Sequence, residues 1–399
     1  MRRPLTVLVF VMVIVAPTPR AMGVVTTAVC DDAWHIETHR QDGQVLHAVS
    51  SRWIQGAWAV GSVADAALGV QRTYIEHWNG TDWKHIDSPN LDPRATPGDN
   101  ELFGVVGIGA DIWAVGGSAD PGDATHASGH FALAMHNDGT GWRLTPTDPA
   151  TGRATLFDVW QASTHDVWAV GQSWNGSHPV AERWDGAAWH DVPVPDPTPA
   201  ADGFRSVSGA GPDDIWAVGT SAGGARTLAE HWNGRSWAVV TMPDPEADHA
   251  ILQDVSVRRD GYAISVGALD PLGTVSNRTL IERWRDGVWR IRHSPNPGAD
   301  RDVLLGVDRG PHALQKFWAV GWRRATPTGA SEALILRLLD GRWRVDPAPD
   351  PYPGGWSRLE DVAVFGRDTF DAVGAVAVGS AYDPAMGAAR AVIMRRCAP

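Results

Sequence analysis

The sequence predicts an all-β fold, a seven-bladed β-propeller of four-stranded antiparallel blades. Three observations predict it: a repeated tetrapeptide, a fixed order of short strand-like segments, and tight turns between those segments. The tetrapeptide Trp-Ala-Val-Gly occurs five times, and degenerate copies at residues 264–267 (Ile-Ser-Val-Gly) and 376–379 (Val-Ala-Val-Gly) fill the remaining positions. The seven copies start 55, 55, 48, 48, 54 and 58 residues apart, a spacing typical of a repeat architecture.

Each repeat contains four segments in a fixed order. The first has Leu or Phe followed three residues later by Val, and the second is the tetrapeptide. The third is an apolar run that ends in a turn, as in residues 75–80 (Ile-Glu-His-Trp-Asn-Gly), and the fourth opens with a tryptophan such as Trp83. Short segments rich in β-branched and aromatic residues and bounded by Gly, Pro, Asn or Asp are typical of strands. Asn-Gly and Asp-Gly accept positive φ, so they predict tight hairpins between the third and fourth strands.

The predicted propeller is a single domain over residues 24–399. Its blades are expected at about residues 46–87, 102–146, 156–194, 204–242, 252–293, 304–346 and 359–397. The last repeat lacks a fourth segment, and residues 33–38 align with the fourth segment of the first repeat. We therefore expect the strand at 33–38 to complete the last blade and close the ring, which leaves no open edge between the first and last blades.

Residues 1–23 have the features of a secretory signal peptide. Arg2 and Arg3 precede an apolar run at residues 5–16, and residues 21–23 (Ala-Met-Gly) supply small side chains for cleavage. The run is shorter than the roughly 20 apolar residues that a membrane-spanning helix needs. We therefore expect a secreted, extracellular protein without a membrane span, and we expect a monomer.

The only two cysteines, Cys30 and Cys397, fall at the ends of the two segments that are expected to meet in the last blade. Both align with Asn79, at the tip of the hairpin that the last blade lacks. In an exported protein this placement predicts a disulfide that replaces the missing turn. The alternative is two unpaired buried thiols.

The repeat motifs carry a family resemblance. The combination of Trp-Ala-Val-Gly, Glu-His-Trp-Asn-Gly-x-x-Trp and Ser-Pro-Asn resembles secreted actinobacterial β-propeller proteins, most of which have no assigned function. The resemblance covers residues 31–397 and implies the propeller architecture, not an activity. The Asn/Asp-Gly-x-x-Trp hairpins are also similar to a weak form of the Asp-box of sialidase-type propellers, in which such hairpins are structural.

Composition excludes some partners. The formal net charge is −12 and there is no basic run, which argues against nucleic acid and against an anionic membrane surface as partners.

A binding site is expected on the face that carries the long, variable connections, those from the fourth strand to the next blade and from the second strand to the third. Aromatic residues outside the repeat pattern lie in or near these connections: Trp174, Trp322, Trp356, Tyr352 and Tyr382. Exposed rings can stack on sugars or on apolar side chains of a partner. The alternative is that each ring folds over the edge of its own blade.

Acidic residues on the same connections are candidate ligands for a metal ion. Asp120, Asp123, His126 and His130 share one long loop, and Asp-Pro recurs in five connections, at Asp92, Asp148, Asp196, Asp244 and Asp350. Carboxylates around a channel mouth could hold Ca²⁺ or attract a cationic ligand. Asp-Pro is equally a common turn sequence, and no cofactor is firmly predicted.

The sequence favours a secreted binding scaffold that recognises an extracellular glycan or protein surface. The runner-up is an extracellular enzyme, a lyase, cyclase or hydrolase that acts at the central pocket with or without Ca²⁺, and a third possibility is a structural part of a surface assembly. Catalysis is disfavoured because the sequence has no Gly-x-Ser-x-Gly, phosphate-loop or zinc-binding motif. A copper-radical oxidase needs a Tyr–Cys cross-link, and both cysteines are assigned to the ring closure.

Overall fold

A computed structural model of the chain describes residues 32–37, 43–53, 56–92, 98–119, 130–174, 178–198, 200–274, 276–309, 317–366 and 373–396. These residues form seven four-stranded antiparallel sheets, which confirms the predicted propeller. In every sheet the first strand of the repeat is innermost, and neighbouring blades touch through these inner strands around the ring. We call the strands of a blade A to D from the axis outwards.

Strand A of each blade begins one to five residues before the predicted Leu or Phe. The strands of blades 1 to 4 are β2 (Gln44–Trp53), β3 (Gly56–Asp65), β4 (Val70–Trp78), β5 (Trp83–Ile86), β6 (Asn100–Ile108), β7 (Asp111–Ala119), β8 (His130–Asn137), β9 (Trp142–Leu144), β10 (Ala154–Ser163), β11 (Asp166–Ser173), β12 (Pro179–Trp184), β13 (Trp189–Asp191), β14 (Gly203–Gly211), β15 (Asp214–Ser221), β16 (Arg226–Trp232) and β17 (Trp237–Val239). Two short 3₁₀ turns, Pro149–Thr151 and Ala222–Gly224, lie in connections between these strands.

Blades 5 to 7 follow the same order, and blade 7 takes its outermost strand from the N-terminal region. Their strands are β18 (Ala247–Val257), β19 (Ala263–Pro271), β20 (Arg278–Arg285), β21 (Val288–Ile291), β22 (Arg301–Arg309), β23 (Phe317–Arg324), β24 (Ser331–Leu339), β25 (Arg342–Asp346), β26 (Ser357–Gly366), β27 (Val373–Asp383), β28 (Ala388–Arg396) and β1 (Trp34–Ile36).

The ring closes as predicted. Strand β1 pairs with β28 in antiparallel register, with Trp34 opposite Arg396. The buried indole of Trp34 donates from Nε1 to Asp346 Oδ2 of blade 6 at 3.1 Å, so the closing strand also holds the neighbouring blade. Cys30, Cys397 and residues 1–23 lie outside the described residues, so the disulfide and the signal peptide stay predictions. No helix in the described part of the chain is long and apolar enough to cross a membrane.

The glycine of the tetrapeptide is required by a close approach between strands A and B. Strand A has a β-bulge beside this glycine in every blade, as between Leu156 and Asp158. A Cβ on Gly171 would lie 1.9 Å from the carbonyl oxygen of Thr155, and the other six repeat glycines show the same approach at 1.9–2.2 Å. Only glycine fits there, which explains its presence in all seven copies, including the two degenerate ones.

The patterned tryptophans pack between blades. In blades 2, 3 and 4 the tryptophan of strand B contacts two tryptophans of the next blade, one from strand C and one from strand D. For Trp113 the ring centroids lie 4.9 Å from Trp184 and 5.2 Å from Trp189. The same triad joins blade 3 to blade 4 and blade 4 to blade 5. The hydrophobic clusters of the core accordingly combine residues from adjacent blades.

Candidate functional site

Four of the five aromatic residues singled out by the sequence lie on two adjacent blades, 6 and 7, at the end of the sheets that carries the variable connections. Trp322 follows the repeat glycine in strand B of blade 6, a position that holds a small or polar residue in every other blade: Ser62, Gly117, Gln172, Thr220, Ala268 and Ser380. Trp322 pairs across the sheet with Ala333, which packs in the cluster between blades 6 and 7. Cross-strand partners share a face of the sheet, so the Trp322 side chain also faces blade 7. The Ala333 N–H donates to Ser357 Oγ of blade 7 at 3.0 Å, directly beside Trp356.

Trp356 and Tyr382 lie on the other side of the blade 7 sheet. Ala381, the residue before Tyr382, packs in the cluster between blades 6 and 7, so Tyr382 and its cross-strand neighbour Trp356 face blade 1. The rings of Trp356 and Tyr382 are nearly parallel, at 15°, with centroids 6.4 Å apart. Their backbones are tied as well, because the Tyr382 N–H donates to the Trp356 carbonyl at 2.8 Å. Tyr352, in the connection between the two blades, packs against the same interblade cluster. We call Trp322, Tyr352, Trp356 and Tyr382 the blade 6–7 aromatic cluster; all four side chains are partly buried.

Trp174 is placed elsewhere. It follows strand B of blade 3, three blades away from blade 6 in one direction and from blade 7 in the other, so it lies across the ring from the aromatic cluster. Its side chain is 41% exposed, and its indole Nε1 donates to Thr155 Oγ1 of its own blade at 3.0 Å. A small ligand could not contact Trp174 and the cluster together.

The proposed metal ligands fall largely outside the described residues. Asp120, Asp123 and His126 are not among them, and only the backbone of His130, at the start of β8, is described. Within the described ranges, no group of three or more His, Cys, Asp or Glu side chains is arranged to hold a metal ion. The metal site in this loop stays a prediction.

The Asp-Pro acids of the connections stabilise turns and ion pairs. Asp148 accepts the N–H groups of Ala150 and Asp191, at 2.8 and 3.1 Å, and these hydrogen bonds lower the pKa of Asp148. Asp92 pairs with Arg72 at 3.2 Å, and Asp350 accepts the N–H of Tyr352 at 3.0 Å. The turn interpretation therefore accounts for these residues without a bound cation.

The structure reveals a set of axial carboxylates that sequence reasoning missed. Asp158, Asp254 and Asp361 occupy the residue before the Val of strand A in blades 3, 5 and 7. Each accepts the N–H of the corresponding Val in the next blade, at 2.9, 2.6 and 2.8 Å. The signal was present in the sequence, because Asp alternates with Ser206 and Gly306 at this position along blades 3 to 7. A Cβ on Gly306 would lie 2.7 Å from Asp361 Cα, so the alternation also has a steric cause.

One serine hydroxyl bridges two of these carboxyl groups. Ser206 Oγ lies 2.8 Å from Asp158 Oδ2 and 2.6 Å from Asp254 Oδ1. A hydroxyl has one hydrogen, so it can donate to only one of these groups and must accept from the other, which is then protonated. Burial raises the pKa of Asp158 to about 6 and that of Asp361 to about 8, and burial with the nearby carboxylates raises the pKa of Asp254. The axial acids tie neighbouring blades together.

A second set of side chains on the innermost strands is adjacent to these acids in sequence. It consists of the bulge residues of strand A, one from each blade: His47, Phe103, Phe157, Arg205, Gln253, Leu305 and Glu360. The Phe103 and Phe157 rings lie 5.7 Å apart, and the Arg205 guanidinium lies 4.3 Å from the centre of the Phe157 ring. Burial lowers the pKa of Arg205. Side chains of consecutive blades therefore contact one another at the axis.

The glutamates that recur in strand C are part of the blade packing. Glu182, Glu230 and Glu282 are fully buried, and burial raises their pKa values to about 7, 8 and 8. The equivalent residues are Met135, Leu336 and Met394 in blades 2, 6 and 7, all fully buried. The position is therefore an apolar one that tolerates a protonated carboxyl.

Comparisons with known proteins support the fold. No protein-family model and no curated protein sequence matches the chain. The GH74 xyloglucanase from Xanthomonas campestris is similar in structure, with a TM-score of 0.53 and 14% identity over 90% of this chain and 55% of that enzyme. Sqt1 from Chaetomium thermophilum has a TM-score of 0.48 and 11% identity, over 88% of this chain and 83% of that one. A PL25 ulvan lyase has a TM-score of 0.45 and 10% identity, over 90% and 95%. This chain spans about half of the xyloglucanase, and at such identity the likeness shows the propeller fold alone.

Proposed function

We propose that the protein is an extracellular carbohydrate-binding module and that the blade 6–7 aromatic cluster forms its binding surface. One observation carries this proposal: four aromatic residues outside the repeat, from Trp322 to Tyr382, lie on two adjacent blades on the face of the variable connections. Rigid aromatic side chains provide large contact areas at a small cost in conformational entropy.

The arrangement of the rings favours sugar over a deep-pocket ligand. Trp356 and Tyr382 are parallel within 15° and are partly buried, so each ring is held by the blade while part of it meets solvent. An aromatic ring presents a flat apolar face to the C–H groups of a sugar, whose hydroxyls need polar neighbours. The exposed carboxylate of Asp350 lies in the same connection as Tyr352 and can accept such hydrogen bonds.

The alternative of an enzyme at the central pocket has less support. The axial carboxylates accept hydrogen bonds from the backbone of adjacent blades, and the side chains beside them contact one another. These interactions assign the axial acids to holding the ring together, so the proposal rests on the aromatic cluster and not on the likeness to carbohydrate-active propellers.

A glycan array tests the proposal. The mature protein, residues 24–399, should bind a defined subset of glycans, with and without Ca²⁺. The Trp322→Ser variant should lose that binding, and it should fold normally because Ser occupies the equivalent positions 62 and 380. An array without specific binding, or one on which the variant retains the same glycans, would contradict the proposal. Binding that disappears with a chelator would instead place Ca²⁺ in the site.

A further inference from the structure

One arginine of the blades lacks the carboxylate that its equivalents have. Four blades carry an arginine in strand C, directly opposite the first residue of the tetrapeptide: Arg183, Arg283, Arg337 and Arg395. Three of them pair with an acid: Arg183 Nε with Asp166 Oδ1 at 2.8 Å, Arg337 Nη1 with Asp32 Oδ2 at 3.7 Å, and Arg395 Nε with Glu37 Oε1 at 2.7 Å. Over the ranges that the structure describes, no carboxylate lies within 4.0 Å of Arg283, and its buried Nε has no hydrogen-bond partner.

Two substitutions in blade 5 explain this exception. In blade 3 the arginine also lies over the tetrapeptide tryptophan, with the Arg183 guanidinium 5.2 Å from the ring centre of Trp168. In blade 5, Ile264 replaces that tryptophan and Tyr262 replaces the acid two residues before it. Arg283 has therefore lost both its aromatic partner and its counter-charge. A partly buried cation without either is costly unless an anion supplies the missing charge.

The same substitutions open a cavity. At three other junctions a strand B tryptophan fills the space between two tryptophans of the next blade, as Trp216 does against Trp284 and Trp289. Between blades 5 and 6 only Trp343 of this triad is present, because Ile264 and Leu338 occupy the other two positions. These residues line a cavity of about 530 Å³. This volume is within the range of small-molecule sites, roughly 300–1,000 Å³, and exceeds that of a single inorganic ion.

The cavity is cationic, although the protein as a whole has a net charge of −12. Its lining includes Arg283, Arg285, Arg292, Arg342, Arg344 and His293, and no acidic residue among those that the structure describes. Exposed acids flank it: Asp286 Oδ2 lies 3.7 Å from Arg285 Nε, and Asp340 precedes the lining residue Gly341. A concentration of guanidinium groups attracts oxyanions, which they bind through paired N–H donors.

We propose that the cavity between blades 5 and 6 binds an oxyanion carried by a small organic molecule of about the size of an acidic sugar. The oxyanion, a sulfate, phosphate or carboxylate, pairs with Arg283, and the organic part occupies the space that the two missing tryptophans leave. The site lies beside the A–B connection of blade 5 and the C–D hairpin of blade 6, apart from the blade 6–7 aromatic cluster. It does not depend on the function proposed for that cluster.

Calorimetric titration tests the ligand class. The mature protein in chloride buffer should bind glucuronate, and it should not bind uncharged glucose. Sodium sulfate is titrated separately at matched ionic strength, which distinguishes a free inorganic oxyanion from one carried by an organic molecule. Stronger binding of glucuronate than of sulfate supports the acidic organic ligand, and binding of sulfate alone would overturn the organic part of the proposal. No heat with either anion would overturn it entirely.

Two variants locate the binding. Arg283→Met removes the unpartnered cation, and Ile264→Trp restores the residue that fills this space at other junctions. Both should weaken glucuronate binding about tenfold or more, the effect of losing a charged hydrogen bond, and Ile264→Trp should melt no lower than the wild type because it fills a cavity. Arg183→Met is the matched control, because it removes an arginine at the same register position and should leave binding unchanged. Wild-type affinity in both pocket variants, or an equal loss in the control, would refute the site.

Discussion

Glu230→Met should stabilise the protein at alkaline pH and reduce the pH dependence of its unfolding free energy. Glu230 is fully buried and neither of its carboxylate oxygens has a hydrogen-bond partner. Burial, with the nearby carboxylates of Asp202 and Asp196, raises its pKa from 4.5 to about 8. Methionine fits because Met135 and Met394 occupy the equivalent position, fully buried, in two other blades.

The direction in which the unfolding free energy changes with pH follows from proton linkage. The folded state holds the Glu230 proton more tightly than the unfolded state, so its stabilising effect is complete below pH 4.5 and is lost as the pH rises through about 8. Between pH 5 and pH 8 the loss has an upper limit of about 3.5 kcal/mol, at 1.36 kcal/mol per pKa unit. The unfolding free energy of the wild type should therefore fall over this interval, and that of Glu230→Met should fall less.

Urea denaturation at pH 5 and pH 8 measures this effect. The control is Glu332→Met, which removes the same charge from an exposed strand position. Its pH dependence should equal that of the wild type, and its stability should change by no more than about 0.5 kcal/mol. The reasoning would be refuted if Glu230→Met were less stable than the wild type at pH 8 or retained the full pH dependence.

Three further predictions concern the ring itself. Trp216→Ala should lower the unfolding free energy by about 3–5 kcal/mol because it leaves a cavity between blades 4 and 5. A smaller loss in urea denaturation would contradict the packing of Trp216 between these blades. Deletion of residues 24–38 removes β1, exposes the edge of β28 and should sharply lower the melting temperature, so an unchanged value would exclude the closure. Cys30 and Cys397 should appear as a linked pair in non-reduced peptide mass spectra of the secreted protein, and two free thiols would disprove the disulfide.

The fold could be predicted from the sequence because the repeat spacing, the turn residues and the incomplete last repeat all indicate the same architecture. The spacing of the tetrapeptide sets the number of blades, the Asn-Gly and Asp-Gly turns set the hairpins, and the missing fourth segment of the last repeat indicates the closing strand. The bulge in strand A could not be seen, because the alternation of side chains along a strand does not reveal one inserted residue. The axial position of Asp158 and its equivalents was missed for this reason.

The site could be predicted in part. Trp322, Tyr352, Trp356 and Tyr382 were found as residues outside the repeat, and the structure places them on adjacent blades, with Trp356 and Tyr382 stacked on each other. Grouping Trp174 with them ignored the order of the blades, which already places blade 3 across the ring. The sequence also shows that Ile264 replaces the tryptophan of the tetrapeptide in blade 5. It does not show that this replacement leaves a cavity beside Arg283, because that depends on which side chains of the next blade the tryptophan would contact.

The most direct test of carbohydrate binding by the aromatic cluster is a comparison of two dissociation constants for one glycan. Calorimetry with the best ligand from the array should show that Trp322→Ser weakens binding about 30-fold, the effect of losing roughly 2 kcal/mol at an aromatic hot spot. Trp174→Ala, across the ring, should bind as tightly as the wild type. Equal affinities in the two variants, or a loss confined to Trp174→Ala, would contradict the proposed site.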